Sequence, residues 1–396
     1  MMFDPKRILE AAEKLQPKIQ EVRRHLHQHP ELSFEEHKTA AFLLNVLNEA
    51  SITTETGFAG TGMVARIEGK NPSAKNIALR ADMDALPIQE TNATSYVSQN
   101  PGVMHACGHD VHSACGLGAL LLLNELKNEW SGTVTMLFQP GEELLPGGAS
   151  LMIKDGALTE DLTGIFGQHV FPDLPAGKVG FRPGMYMAST DELYFTVKGQ
   201  GGHAALPHKL KDPVVAAANM IVALQQIASR KAPASIPTVL SIGKMEALGA
   251  TNVVPNEVKL SGTFRTMDEN WRVEAHEQIQ TIAKDTCAAT GVEVEVEIKK
   301  GYPYLVNDET LTNKAKDAAI ALLGKENVID LDIRMTGEDF AYYSQHMPAC
   351  FYRLGTSGPN GIFSSPVHTS TFDIDESALT TGVALMAWLA LDALNG

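Results

Sequence analysis

Three apolar runs that break off into ligand-type residues constrain this chain more than any other feature of its sequence. Asn76–Ala81 (NIALRA) runs into Asp82-Met83-Asp84-Ala85-Leu86-Pro87, Thr133–Phe138 (TVTMLF) runs into the loop QPGEELLPGG, and Gly164–Val170 (GIFGQHV) carries His169 near its end. Short apolar runs without polar alternation read as strands buried on both faces. Between them the period changes, and Ser113–Leu126 reads as a nearly all-apolar helix. Strands alternating with helices predict an α/β domain with a mostly parallel sheet, whose ligands sit beyond the carboxyl ends of the strands. The chemistry-bearing residues fall at such ends.

A length of 396 residues exceeds one small core, so two domains are expected. Asp4-Pro5 caps an opening helix or helix pair, with Ile8, Leu15, Ile19, Val22 and Leu26 at helical spacing until Pro30. Ser33 with Glu36 three residues on reads as a capping box for the next helix. Between about Asp191 and Gly301 the order changes to strand Glu192–Lys198, helix Asp212–Lys231, strands Pro237–Met245 and Glu257–Thr266, helix Asp268–Thr290 and strand Val292–Lys299. That β-α-β-β-α-β order predicts a ferredoxin-like, two-layer unit. Helix Asn307–Leu323, strand Ala349–Leu354 and the apolar helix Glu376–Leu394 follow. The reading is a discontinuous larger domain, residues 1–185 and 301–396, with an inserted domain at 186–300.

Composition narrows the partners. A formal charge of −15, without a basic arm or stripe, argues against nucleic acid. The opening MMFDPKRILEAAEKLQ has no apolar run suited to a signal peptide, and no window elsewhere is expected to span a bilayer, so no membrane partner and a cytoplasmic location are expected. Cys107, Cys115, Cys287 and Cys350 are scattered, which fits a reducing compartment, and only Cys107 has metal-ligand neighbours.

The densest chemistry lies in Gly102–His112 (GVMHACGHDVH), where His105, Cys107, His109, Asp110 and His112 offer ligands for borderline-soft divalent metals. Taken alone, the segment reads equally as buried histidines satisfying core hydrogen bonds. Asp82 and Asp84, at i and i+2 where a strand ends, can bind a metal directly or orient a metal-bound histidine from behind; a capped turn before Pro87 is the plainer alternative. Adjacent Glu142 and Glu143 at a strand end suit a division of labour, one acid holding metal and the other acting as general base. His169 and His368, each taken alone, read as structural.

Together the segments RADMDALP, HACGHDVH, QPGEE, GQHV, GGHAALPH, NVVPNE, GTFRT, GEDF and VHTSTFD resemble metallopeptidase family M20, in its amidohydrolase branch of aminoacylases, hippurate hydrolases and auxin-conjugate hydrolases. The resemblance covers nearly the whole chain and keeps the order of the motifs. It implies that Cys107, His109, Glu143, His169 and His368 ligate a two-metal centre, that Glu142 is the general base and that Asp84 is the acid behind the ligands. It also implies that His203, in GQGGHAALPH, reaches the active site from the lid domain of the partner subunit, which makes a homodimer or higher homo-oligomer functional. His203 is suited to donate a hydrogen bond to the oxyanion, a loop histidine fixing its own turn being the alternative. Asn252 and Arg265 would grip the amino-acid end of the substrate, the arginine as a fork for a carboxylate. Many peptidase members of the wider family have a histidine where this chain has Asp82 and a bridging aspartate where it has Cys107. A thiolate favours softer ions than a carboxylate does, which leaves the metal open; manganese or zinc is expected, with nickel or cobalt as further options. His105, His112 and the Glu338-Asp339 pair read as supporting residues.

An amide is a poor electrophile with a poor leaving group. The activity expected is hydrolysis of N-acyl amino acids, such as acetyl or benzoyl conjugates, by a metal-activated water with Glu142 as general base. A dipeptidase or aminopeptidase on the same scaffold is the alternative. A binding protein that lost the chemistry is a third reading, disfavoured by the intact set of Glu142 and candidate ligands.

Overall fold

The computed structural model describes residues 3–395, so the outermost bounds expected for the larger domain, residues 1 and 396, lie outside the described residues. Apart from several short strands, short helices and turns, the elements in chain order are α1 (Pro5–Gln28), α2 (His37–Glu49), β1 (Thr53–Phe58), β2 (Gly62–Glu68), β3 (Asn76–Asp82), α3 (His109–Glu125), β4 (Thr133–Gln139), β5 (Leu162–Pro175), β6 (Val179–Phe181), β7 (Asp191–Lys198), α4 (Pro213–Leu224), β8 (Thr238–Glu246), β9 (Glu257–Thr266), α5 (Glu269–Ala288), β10 (Glu293–Lys300), α6 (Glu309–Leu323), β11 (Val328–Asp330), β12 (Ala349–Ser357) and α7 (Ala378–Asn395). Two compact units result, one of Met1–Tyr186, Val306–Ile333 and Asp339–Gly396, the other of Met187–Leu305 and Arg334–Glu338.

The first unit is built on one sheet in the order β1-β2-β4-β3-β5-β12-β6-β11. Its centre is parallel, β3 against β4 and β5, and β5 against β12. The antiparallel pairs lie outside that centre. β3 and β4 are buried at every position, as strands covered by helices must be. Helix α3 packs against both α1 and α7. The contact is close at Gly118, where a Cβ would stand 2.5 Å from Val383 of α7 and 3.1 Å from Ile19 of α1. Only glycine lets these helices approach so far.

Local departures from the sequence reading have physical causes. α1 is a single helix that runs through Pro17, with the Asp4 carboxylate accepting from the Lys6 amide at 3.0 Å. The expected capping box does not form, because both partners are drawn elsewhere. Ser33 Oγ donates to Asp84 Oδ2 at 2.6 Å, and the buried Glu36 carboxylate accepts from Thr61 Oγ1 at 2.6 Å and from the Gly141 amide at 2.9 Å. Helix α3 starts at His109 rather than Ser113, so the ligand segment is itself the first turn of the helix. Helix α7 corrects the expectation of no bilayer-length window: its 18 residues are long and apolar enough to cross a membrane. Val383 to Leu391 are nevertheless all buried in the core of this unit, the ordinary place for an apolar helix.

The second unit carries a four-stranded antiparallel sheet in the order β8-β9-β7-β10. Its core joins Leu193, Phe195 and Val197 of β7 to Ala216 and Met220 of α4 and to Ala275 and Ile279 of α5. Alternate burial along β7 leaves one sheet face to these helices. α4 stops at Leu224, and a separate π-helical turn covers Ile227–Lys231.

Candidate metal centre

The site forms at the carboxyl ends of β3 and β4, where the chain leaves the sheet in loops, and beside the middle of β5, just past its last pair with β3. The turn before α3 supplies Cys107, and His109 is the first residue of that helix. Gly108 between them adopts φ +80°, and a Cβ there would lie 2.6 Å from Val170 Cγ2. The β4 loop brings Glu142 and Glu143, β5 brings His169, and the segment before α7 brings His368. His368 lies in the left-handed region at φ +63°, and its amide donates to the Ala106 carbonyl at 2.7 Å, which ties two ligand-bearing segments together.

The candidate ligands converge. Cys107 Sγ is 3.5 Å from His169 Nε2 and 3.3 Å from His368 Nε2. Glu143 Oε1 is 3.1 Å from His368 Nε2 and 3.9 Å from His109 Nε2. Cys107, His109 and His169 form one group able to hold an ion, Cys107, Glu143 and His368 a second, and His109, Glu142 and Glu143 a third. Cys107, His109 and Glu143 are each shared between two of these groups, so the groups overlap in one cluster.

Asp84 organises this cluster from behind. It takes His109 Nδ1 at 3.1 Å, the amides of Glu142 at 3.1 Å and Glu143 at 3.0 Å, and the Ser33 hydroxyl. Burial alone would raise its pKa, but the His109 hydrogen bond and charge outweigh this and hold it below the usual carboxylate range. With Nδ1 donating to Asp84, His109 Nε2 is left buried without a hydrogen-bond partner. Burial likewise opposes charge on His109, yet Asp82, Asp84 and Glu143 push its pKa up to about 10. Burial, followed by Glu143, Glu142 and Asp82, holds the Cys107 thiol well above its usual value. An orphaned imidazole nitrogen and a thiol crowded by carboxylates both call for a cation, and the mixed sulfur, nitrogen and oxygen donor set fits a borderline divalent metal.

Asp82 and Asp84 both face His109, Asp82 Oδ2 lying 3.7 Å from Nε2. The buried Glu142 has one carboxylate oxygen accepting from the Asp339 amide at 3.3 Å. Sequence reasoning had Asp339 as a supporting residue and missed Arg80, which joins it under β3 and β4. Arg80 binds Asp82, donates to Gln139 Oε1 at 2.9 Å and to Asp339 Oδ1 at 2.8 Å, and Asp339 also accepts the Ala149 amide at 2.9 Å. An arginine inside an otherwise apolar strand was the available signal.

His203, Asn252 and Arg265 belong to the second unit. His203 and Asn252 are neighbours there, since His203 pairs with Val253 and the Ala204 amide donates to the Asn252 carbonyl at 3.0 Å. Both side chains are exposed, and His203 Nδ1 accepts from the Ala205 amide at 3.1 Å. Arg265 on β9 is half-buried, its Nη1 without a hydrogen-bond partner, and desolvation lowers its pKa.

A thiol, imidazoles and carboxylates gathered at the strand ends of a parallel sheet define a metal-binding hydrolase of the α/β class. Residues 78–392 match peptidase family M20/M25/M40. The chain belongs to that family and is a hydrolase of carbon–nitrogen amide bonds. It is 40% identical over 358 residues to an N-acetyl-L-cysteine deacetylase of Bacillus subtilis, covering 90% of this chain and 84% of that protein. It is 38% identical over 368 residues to an N-acetyldiaminopimelate deacetylase of Enterococcus faecalis, covering 91% and 94%. Among solved structures, a Bacillus subtilis protein described as a dinuclear metal binding peptidase of the M20 family superposes with a TM-score of 0.81, at 34% identity, over 97% of this chain and 99% of that one.

Proposed function

We propose that the protein is a metal-dependent amidohydrolase that cleaves N-acyl amino acids into a carboxylic acid and a free amino acid. The observation that carries this reading is that Cys107, His109, Glu143, His169 and His368 fall into overlapping groups able to hold an ion, with His109 Nε2 buried without a hydrogen-bond partner and Glu142 beside it. Those five residues would hold two divalent cations, manganese or zinc, or else nickel or cobalt, which when bound supply Lewis acidity toward water and the scissile carbonyl. Glu142 takes the proton of the attacking water and returns it to the departing amine. Asp84 accepts from His109 Nδ1, which leaves Nε2 as the atom turned to a cation, and it fixes the backbone carrying Glu142 and Glu143.

In this reading the inserted unit is a ferredoxin-like lid and dimerisation module. His203 donates a hydrogen bond to the oxyanion from the partner subunit, and Asn252 and Arg265 receive the amino-acid end of the substrate. The unpartnered Arg265 Nη1 supports a carboxylate acceptor. A homodimer is supported by the exposed apolar side chains of α4, Val215 at 53% and Val222 at 72% exposure. The free cysteines support a cytoplasmic setting.

The deacetylase names of the relatives favour blocked substrates. The Bacillus subtilis structure's description as a peptidase favours the alternative, a dipeptidase or aminopeptidase. Chelated protein assayed on N-acetyl and N-benzoyl amino acids and on unblocked dipeptides, before and after addition of manganese or zinc, separates them. Metal-restored turnover of the blocked compounds is expected, and turnover of unblocked dipeptides alone would overturn the reading.

A further inference from the structure

Although Asp82, His109 and His112 also lie close enough to hold an ion, both ring nitrogens of His112 are taken by Asp82 and the Val170 amide, and through the latter it holds the peptide on which a candidate ligand rests. It lies one turn after His109 on α3, with its ring centroid 4.7 Å from that of His169. β3 pairs with β5 only as far as Arg80 opposite Gly167. Beyond that point the edge of β5 that faced β3 has no strand neighbour among the described residues, and a buried strand amide there needs another acceptor. The Val170 amide finds one in His112 Nε2, at 2.9 Å.

That single bond dictates the tautomers nearby. An Nε2 that accepts carries no hydrogen, so the His112 proton sits on Nδ1, and Asp82 Oδ1 receives it at 2.6 Å. Asp82 is held in turn by Arg80. On the far side of Val170, its carbonyl accepts from His169 Nδ1 at 2.8 Å, which leaves His169 Nε2 bare and directed at Cys107 Sγ. Val170 is therefore gripped at its amide by His112 and at its carbonyl by His169, while its side chain presses on Gly108 between Cys107 and His109.

We infer that His112 is a positioning residue of the metal centre: through the Val170 peptide it sets the orientation of His169 toward Cys107, and Asp82 serves as the anchor of its tautomer rather than as a ligand. The inference rests on the metal-centre reading proposed above. It differs from general packing in what it requires of residue 112, namely an acceptor at the position of Nε2.

Cobalt binding provides the test, followed by the absorption of the cobalt–thiolate pair as well as by metal content. Unsubstituted protein that takes up no cobalt, or shows no thiolate band, sinks the metal-centre reading and this one with it. Where it binds two ions per chain, His112→Asn keeps a donor for Asp82 but offers Val170 no acceptor. We expect it to lose about 10- to 100-fold in affinity at the thiolate-bearing position, with a shifted band. His112→Gln can put an acceptor near the Nε2 position and is expected to recover most of that loss. Equal loss in both variants, or loss in neither, overturns the inference while leaving the metal centre standing. Histidine-selective 15N spectra of the unsubstituted, metal-free protein test it without any variant. Protons on Nδ1 of both His112 and His169 are expected, and a proton on Nε2 of His112 would overturn it.

Discussion

Asp84 carries four demands at once, from Ser33, His109 and the amides of Glu142 and Glu143, and its charge is what satisfies them. In Asp84→Asn one acceptor oxygen becomes a donor facing other donors. Metal affinity is expected to fall about 10- to 100-fold, with the fold retained, in a titration against a competing chelator. Glu142 and Glu143 are separable in the same way. Glu142→Gln is expected to keep its metal and lose roughly 10²- to 10⁴-fold in turnover, as befits a general base. Glu143→Gln is expected to lose metal first, and the reverse pattern would mean that the two acids exchange roles. Cys107, His109 and the Glu142-Glu143 pair were legible because metals demand particular side chains, whereas His169 and His368, structural when each is read alone, joined the set only through the resemblance of the ordered motifs. Ser33 was misread as a cap because its true partner, Asp84, lies 51 positions away. Nothing local marked that pairing.

At the scale of elements, the ligand segments are tied down by a buried ion network on α1. Arg23 Nε donates to Asp110 Oδ2 and Nη2 to Asp373 Oδ1, both at 2.8 Å, and His27 Nδ1 meets Asp110 Oδ2 at the same distance. Asp110 follows His109, and Asp373 lies five positions after His368, so one arginine braces both ends of the candidate site. Arg23 shares the buried stripe of Ile19, Val22 and Leu26, and that placement was visible in the helical period even though its partners were not. Arg23→Met strands buried carboxylates and is expected to cost about 3–5 kcal/mol near neutral pH, measured by urea unfolding. The pH dependence follows from Asp110. Burial would raise its pKa, but Arg23 and His27 hold it far below the ordinary carboxylate value. A depressed native pKa gives stability that is present above the unfolded value of about 3.9 and is lost as pH falls below it. The gap between wild type and Arg23→Met should therefore narrow below about pH 4, and a gap that stayed constant would detach Arg23 from Asp110.

At the scale of the whole molecule, the inserted unit raises a question that its own core does not answer. Its sheet ends in the exposed edge strand β8, and Leu248 just beyond that strand is 91% exposed, while α4 turns Val215 and Val222 outward. Edges and apolar faces of this kind are normally covered by a partner. The element order of the insert followed from strand and helix periods. The return of Arg334–Glu338 to that unit did not, since a five-residue segment carries no period of its own. If the covering partner is a second copy, Val215→Glu with Val222→Glu is expected to yield monomers in sedimentation experiments. The proposed role of His203 then makes a sharper demand. Glu142→Ala and His203→Ala should each be inactive alone. In a mixed dimer in which His203 acts across the interface, one site joins an intact Glu142 to an intact His203 from the other chain. Random exchange of equal amounts makes half of the dimers mixed, so about a quarter of wild-type activity should return. Exchange demonstrated by differential tags without any recovery would confine His203 to its own subunit, and the insert would then act as a lid without a catalytic reason to dimerise.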